Sequence, residues 1–172
     1  MSIWAFFPGM KEEFYQKTIA HVNRKNWWHV PPRDPSAYRK RGKFLASSFK
    51  EAEFWGRPLD EPQKVAIFRP LIGDEQTIEK NLFGQRLSSE GMTMDARWKV
   101  DAKIKKAALT QGYDAVLLMT SKAFTELKTK GKMPRSSELN VFKQVHLKSS
   151  SDRKRTQHKR FRQRLLEASE AR

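Results

Sequence analysis

Catalysis needs side chains that titrate, attack or ligate, and this chain arranges few of them. It has no cysteine, so a thiolate nucleophile, a disulfide framework and a cysteine-ligated zinc are excluded. Its four histidines, His21, His29, His146 and His158, are scattered without metal-ligand spacing, and no H-E-x-x-H pair occurs. There is no G-x-x-x-x-G-K-S/T phosphate loop, no glycine-rich dinucleotide turn and no G-x-S-x-G nucleophile elbow. Two residues keep a claim on chemistry. His29 lies in the apolar run NWWHV (26–30), which Pro31 and Pro32 stop, and Glu138 opens the apolar end of PRSSELNVF (134–142). Taken singly, His29 reads first as a hydrogen-bonded core histidine, and Glu138 as either a solvated strand edge or a catalytic carboxylate.

The elements that must position these residues follow from periodicity and punctuation. Met10, Phe14, Thr18 and Val22 recur every fourth residue with Ile19 on the same side, which predicts an amphipathic helix over 10–23. NWWHV reads as a short buried strand. Asp34-Pro35 opens a short helix, PSAYRKR, that ends at Gly42. KFLA (43–46) is a second strand. Ser48 and Glu51 then form a capping box for the helix FKEAEFWG, which stops at Gly56. KVAIF (64–68) is a third strand, and Asp74 caps a helix to about Phe83. Residues 84–95 read as a loop, 97–111 as a helix stopped by Gly112, and AVLLM (115–119) as a buried strand. Residues 120–136 read as a long basic loop before the closing strand ELNVF. The alternation of short strands and helices predicts a compact α+β domain over 1–147. A basic, flexible tail follows over 148–172, with a marginal helix from about 158.

Charge is the strongest compositional signal. The net charge is +16, of which the tail supplies only +6, so the globular part is basic in its own right. Such a field attracts polyanions, and nucleic acid is the commonest of them. No apolar run approaches the ~20 residues that span a bilayer, and the N-terminus lacks the basic region of a secretory signal. The absence of cysteine fits a reducing cytoplasm; the expectation is a cytoplasmic protein with no membrane contact, its oligomeric state left open with a monomer favoured.

Four segments, in order, resemble the ADP-ribosyltransferase superfamily, enzymes that cleave NAD at its nicotinamide–ribose bond and pass ADP-ribose to a target. They are WHV (28–30), GKFLASS leading into AEFWG (42–56), GYDAV (112–116) and SSELNVF (136–142), and the resemblance spans roughly residues 26–145. KFLASSFKEAEFWG resembles the family's strand-then-helix segment, including the Trp-Gly end seen in rifampin-modifying members. GYDAV resembles the GYDG segment of bacterial and phage members. WHVPPRDP is similar to the opening strand of the cholera and pertussis toxins, but His29 stands where those have arginine. That histidine matches the diphtheria-toxin and poly-ADP-ribose-polymerase branch.

The resemblance implies a split β-sandwich of short strands with flanking helices, NAD as co-substrate and no metal. It also implies roles. Glu138 is the catalytic glutamate and His29 the group that holds the NAD riboses. Phe44 stands where the second branch has a tyrosine, Trp55 is the second aromatic against nicotinamide, and Ser47 or Ser48 contacts the ribose. Ser136 occupies a position tied to target choice, where many toxin-like members carry Gln or Glu. The basic segment before Glu138 would face the acceptor, with Lys128, Lys130, Lys132 and Arg135 for phosphates and Phe124 to stack on a base. Arg153, Lys154 and Arg155 of the tail add to it. The expectation is therefore a mono-ADP-ribosyltransferase of the toxin or phage-effector kind, acting on nucleic acid, RNA before DNA, with an inhibitory partner protein possible. The alternatives are the same chemistry on a protein and a non-enzymatic RNA-binding protein.

Overall fold

The computed structural model describes residues 9–142 and the backbone of residues 147–149. Its elements in chain order are α1 (Glu12–Arg24), α2 (Ser36–Arg41), β1 (Lys43–Ala46), α3 (Phe49–Glu53), β2 (Gln63–Val65), β3 (Pro70–Gly73), α4 (Glu75–Phe83), α5 (Met94–Thr110), β4 (Ala115–Leu118), α6 (Ser121–Lys130), β5 (Glu138–Val141) and β6 (Leu147–Ser149). The class is α+β. A mixed sheet runs in the order β1-β5-β4-β3, and β2 and β6 pair separately. Among the described strands of this sheet, only β3 and β4 pair in parallel. Two parallel strands need a long crossover, and α4 and α5 supply it.

Because side chains alternate across a strand, the pairing sorts residues into two faces. Leu45, Leu139 and Leu117 lie opposite one another across β1, β5 and β4, and all are buried. The other face carries Phe44 and Ala46 beside Asn140 and Glu138, then Val116 and Leu118. Helices α4 and α5 contribute Glu75, Ile78, Arg97, Asp101 and Ile104 against this second face.

Local signals explain most of the boundaries. In α1 the four-residue repeat buries Thr18, Ile19 and Val22, while Glu12 and Glu13 complement the positive end of the helix. The Ser48 hydroxyl accepts from the Glu51 amide and opens α3, as the capping pattern predicts. Asp74 and Thr93 cap α4 and α5 in the same way.

Five elements differ from the sequence reading. Residues 120–136 are not a loop: α6 fills most of them, with the Thr120 hydroxyl capping its start and Gly131, at φ 65°, ending it. Phe124 and Leu127 are the buried contacts of this helix, so Phe124 is a core residue and cannot stack on a base. KVAIF is a strand only as far as Val65. Beyond it, the Asn23 side chain bonds both backbone groups of Ile67, and the Asp114 carboxylate accepts from the amides of Phe68 and Arg69. These side chains replace the strand partners that Ile67 and Phe68 would need. The chain re-enters the sheet at Pro70 as β3, a strand the sequence reading missed.

NWWHV likewise makes only two isolated bridges, Trp27 to Gln63 and Trp28 to Ala46. The helix expected over FKEAEFWG covers its first five residues. Pairing of β6 with β2 carries ordered backbone to Ser149, two residues past the expected end of the domain. Arg153, Lys154 and Arg155 lie outside the described residues, as does the expected helix from 158.

Candidate active site

Glu138 is the first residue of β5 and lies between Ala46 and Leu118 on the neighbouring strands. It is half-buried and faces a narrow cleft between the sheet and helices α4 and α5. The cleft volume is about 30 Å³, room for about two waters. Phe44, Val116, Leu118 and Asn140 form its floor, and Glu75, Arg97 and Asp101 supply its charge.

The charges are arranged unequally. Arg97 bonds Glu75 through Nη1 and approaches Asp101 Oδ1 through Nε at 3.3 Å. Arg86 reaches the other Glu75 oxygen at 3.8 Å. Among the described residues no donor bonds the Glu138 carboxyl. Burial pushes its pKa up to about 7; the negative charges of Asp101 and Glu75 add to the rise and Arg97 opposes it. Burial also raises Asp101, against the pull of Arg97. Glu138 can therefore exchange a proton near neutrality, which a solvated carboxyl does not do.

Asn140, two residues along β5 on the same face, gives its amide to the Arg41 carbonyl at 2.9 Å, and its oxygen has no partner. The backbone of Gly42 packs against that oxygen. At φ 92°, a Cβ on Gly42 would sit 2.2 Å from it, so only glycine fits.

The other expected site residues fall into three places. His29 is buried, with Nδ1 2.8 Å from the Phe44 carbonyl and Nε2 2.8 Å from the Tyr38 hydroxyl. The carbonyl can only accept, so Nδ1 carries the proton, and Nε2 accepts from Tyr38. Burial pushes the His29 pKa down to about 4, outweighing the bond to Phe44, so the ring is neutral at pH 7.

Ser47, Ser48 and Ser136 meet around Glu51 rather than Glu138. Ser47 Oγ donates to Glu51 and accepts from the Ser137 amide at 3.1 Å, and Ser136 also bonds Glu51. Trp55 lies on the outer surface, 60% exposed and edge-on to Phe54. Phe44 shares the cleft with Glu138, but Trp55 is not among the residues that line it.

The basic residues before Glu138 are spread around α6. Lys128 lies over the Phe124 ring at 4.5 Å, and Lys132 pairs with Glu126 at 3.0 Å. Lys130 ends the helix, and Arg135 is exposed.

The sequence reading missed Glu75, Arg97 and Asp101. Arg97 and Asp101 are four apart on α5, a spacing that by itself suits any solvated ion pair; the crossover from β3 to β4 turns them onto Glu138. The one available signal was the apolar Val100 and Ile104 on the same side of the helix as Arg97 and Asp101, which a fully solvated side would not need.

Fold and site thus define an α+β protein with an unbonded carboxyl in an acidic cleft. No family model, no curated protein and no solved structure matches the chain. The described residues contain no cluster able to hold a metal ion and no helix long and apolar enough to cross a membrane.

Proposed function

We propose that the protein is a mono-ADP-ribosyltransferase that uses NAD as co-substrate and Glu138 as its catalytic carboxylate, with nucleic acid as acceptor. One observation carries this reading. Trp28, Ala46 and Glu138 lie side by side on adjacent backbone segments, so three motif segments far apart in sequence are neighbours in space. The histidine follows the first, the serines follow the second, and the glutamate is the third. A carboxyl raised to about 7 can take the acceptor's proton near neutrality, and ionised it can face the ribose charge.

Cleavage of the nicotinamide–ribose bond leaves positive charge on the ribose while the bonding electron pair departs with nicotinamide. A carboxylate at the sugar stabilises that charge. The acceptor's oxygen or nitrogen then bonds to the same carbon, and Glu138 takes its proton. Phe44 offers a ring beside Glu138 for the flat nicotinamide. The hydroxyl of Tyr38 on His29 Nε2 occupies the place a ribose hydroxyl would take, and the cleft holds only about two waters. NAD therefore enters by swinging the Tyr38 side chain off His29, with α2 left in place on α5. Trp55 joins the site only if the surface after α3 folds over the bound nucleotide.

The test is release of nicotinamide from NAD by the purified protein. Wild type is expected to release it, Glu138→Gln to lose about 10²–10³ in rate, and His29→Ala to be strongly reduced. Equal rates for wild type and Glu138→Gln would refute the assignment. The narrow cleft favours one second reading, a nucleic-acid-binding protein without catalysis. Its signature is RNA binding that Glu138→Gln leaves unchanged, with no NAD consumed by either form.

A further inference from the structure

Helix α5 has two charged sides. Its inner side puts Arg97 and Asp101 into the cleft and buries Val100, Ile104 and Ala108. Its outer side carries Lys99, Lys103 and Lys106, all exposed. Their spacing of four and three residues sets them in one row about 10 Å long. Helix α2 packs beside α5 and adds exposed Arg39 and Lys40. Lys105 fixes the two together, donating to the Tyr38 and Arg39 carbonyls at 3.1 and 2.5 Å. Between the rows stands Trp98, 44% exposed, with the Arg41 guanidinium 4.6 Å from its ring centre. Asp34 and Asp95 are the acidic side chains exposed on these two segments, and Asp34 is engaged by Ser36.

We propose that this face of α2 and α5 is a docking surface for single-stranded nucleic acid, with Arg39, Lys40, Lys99, Lys103 and Lys106 on phosphates and Trp98 stacked on a base. A row of cations pinned to a rigid helix pair follows a phosphate backbone, and an exposed aromatic within it favours unpaired bases over a duplex. Arg41 also lies close enough to Asp101 to affect its charge, so the surface reaches the rim of the Glu138 cleft. Strand held there would present its groups to the cleft. This deepens the nucleic-acid part of the proposed function, yet binding is measured without NAD, so either idea can fail alone.

The experiment is binding of a labelled 12-nucleotide single-stranded RNA of mixed sequence to the full chain across a salt series. The expected result for Lys99→Glu/Lys103→Glu/Lys106→Glu is a loss of at least tenfold and a salt slope shallower by about 2, since each phosphate contact on a single strand contributes ~0.7. Trp98→Ala is expected to lose about tenfold on the single strand and much less on a duplex of the same length. The control is Lys128→Glu/Lys130→Glu on α6, expected to lose less than threefold. Thermal melts and far-ultraviolet circular dichroism, both retained, show that the triple variant is folded. An equal or larger loss in the α6 control would overturn the location. Equal loss of duplex and single strand in Trp98→Ala would overturn stacking, and displacement of RNA by polyglutamate as readily as by RNA would overturn the choice of partner.

Discussion

Glu79 and Glu138 are both carboxylates set into this small core, and they are treated in opposite ways. Glu79, on α4, is fully buried, but the amides of Leu87 and Ser88 and the Ser88 hydroxyl all donate to it. Those bonds outweigh burial and hold its pKa below the ordinary carboxylate value. Glu138 is less deeply placed, receives no bond from the described residues and is pushed up to about 7. Burial alone thus does not mark a reactive carboxyl. The supply of donors does: the fold built three for Glu79, which clamps the turn after α4, and none for Glu138.

The widest separation between the two should appear in catalysis. Glu138→Gln is expected to lower nicotinamide release by about 10²–10³, whereas Glu79→Gln, assayed where it remains folded, should leave the rate within about threefold of wild type. Next is stability. Glu79→Ala strands two buried amides and a hydroxyl and should cost about 3 kcal/mol in urea unfolding; a cost under 1 kcal/mol would show that the turn at Leu87 re-solvates freely.

The two carboxyls should also tilt stability against pH in opposite directions. Glu79 ionises more readily folded than unfolded, so its contribution is present above the unfolded pKa and is lost as pH falls. Glu138 keeps its proton in the folded state while the unfolded carboxyl ionises. Its contribution is complete below about 4.5 and is lost as pH rises through about 7. Glu138→Gln should therefore gain stability relative to wild type between pH 5 and pH 8, by about 1–3 kcal/mol, as followed by urea midpoints. His29, with its pKa pushed down to about 4, adds to the acid limb: folded protein favours the neutral ring, and stability falls as pH drops from about 6.5 towards 4. The smallest effect is at the serine cluster. Ser47→Ala removes a bond to Glu51 and the acceptor for the Ser137 amide, and should cost about 1 kcal/mol.

The same contrast explains what could be read from the chain. KFLA, AVLLM and ELNVF announce strands because each is a short, mostly apolar run, and Ser48, Asp74 and Gly42 mark helix ends by their backbone needs. Helix α6 was hidden because Lys122, Lys128, Lys130 and Lys132 dominate a stretch in which the helix fully buries just Phe124 and Leu127. Strand β3 was hidden because Pro70 opens it and its partner β4 lies far along the chain. GYDAV stood out as a motif, but nothing local says that the Asp114 carboxylate would end a strand by accepting from Phe68 and Arg69. Glu138 was legible as a strand-opening carboxylate, and Phe44 as its neighbour. Arg97 and Asp101 were not, since their meeting with Glu138 is a property of the crossover rather than of any short segment. Glu79 gave no signal either, because its donors come from a turn eight and nine residues on.

The most direct measurement is the titration of Glu138 itself, read as the carboxyl resonance that disappears from the carbon spectrum of glutamate-labelled protein in Glu138→Gln. A midpoint near 7 is the predicted result, with Glu79 identified in the same way and titrating below the solvated glutamates. A Glu138 midpoint near the ordinary value of about 4.3 would show a solvated strand edge and contradict the account.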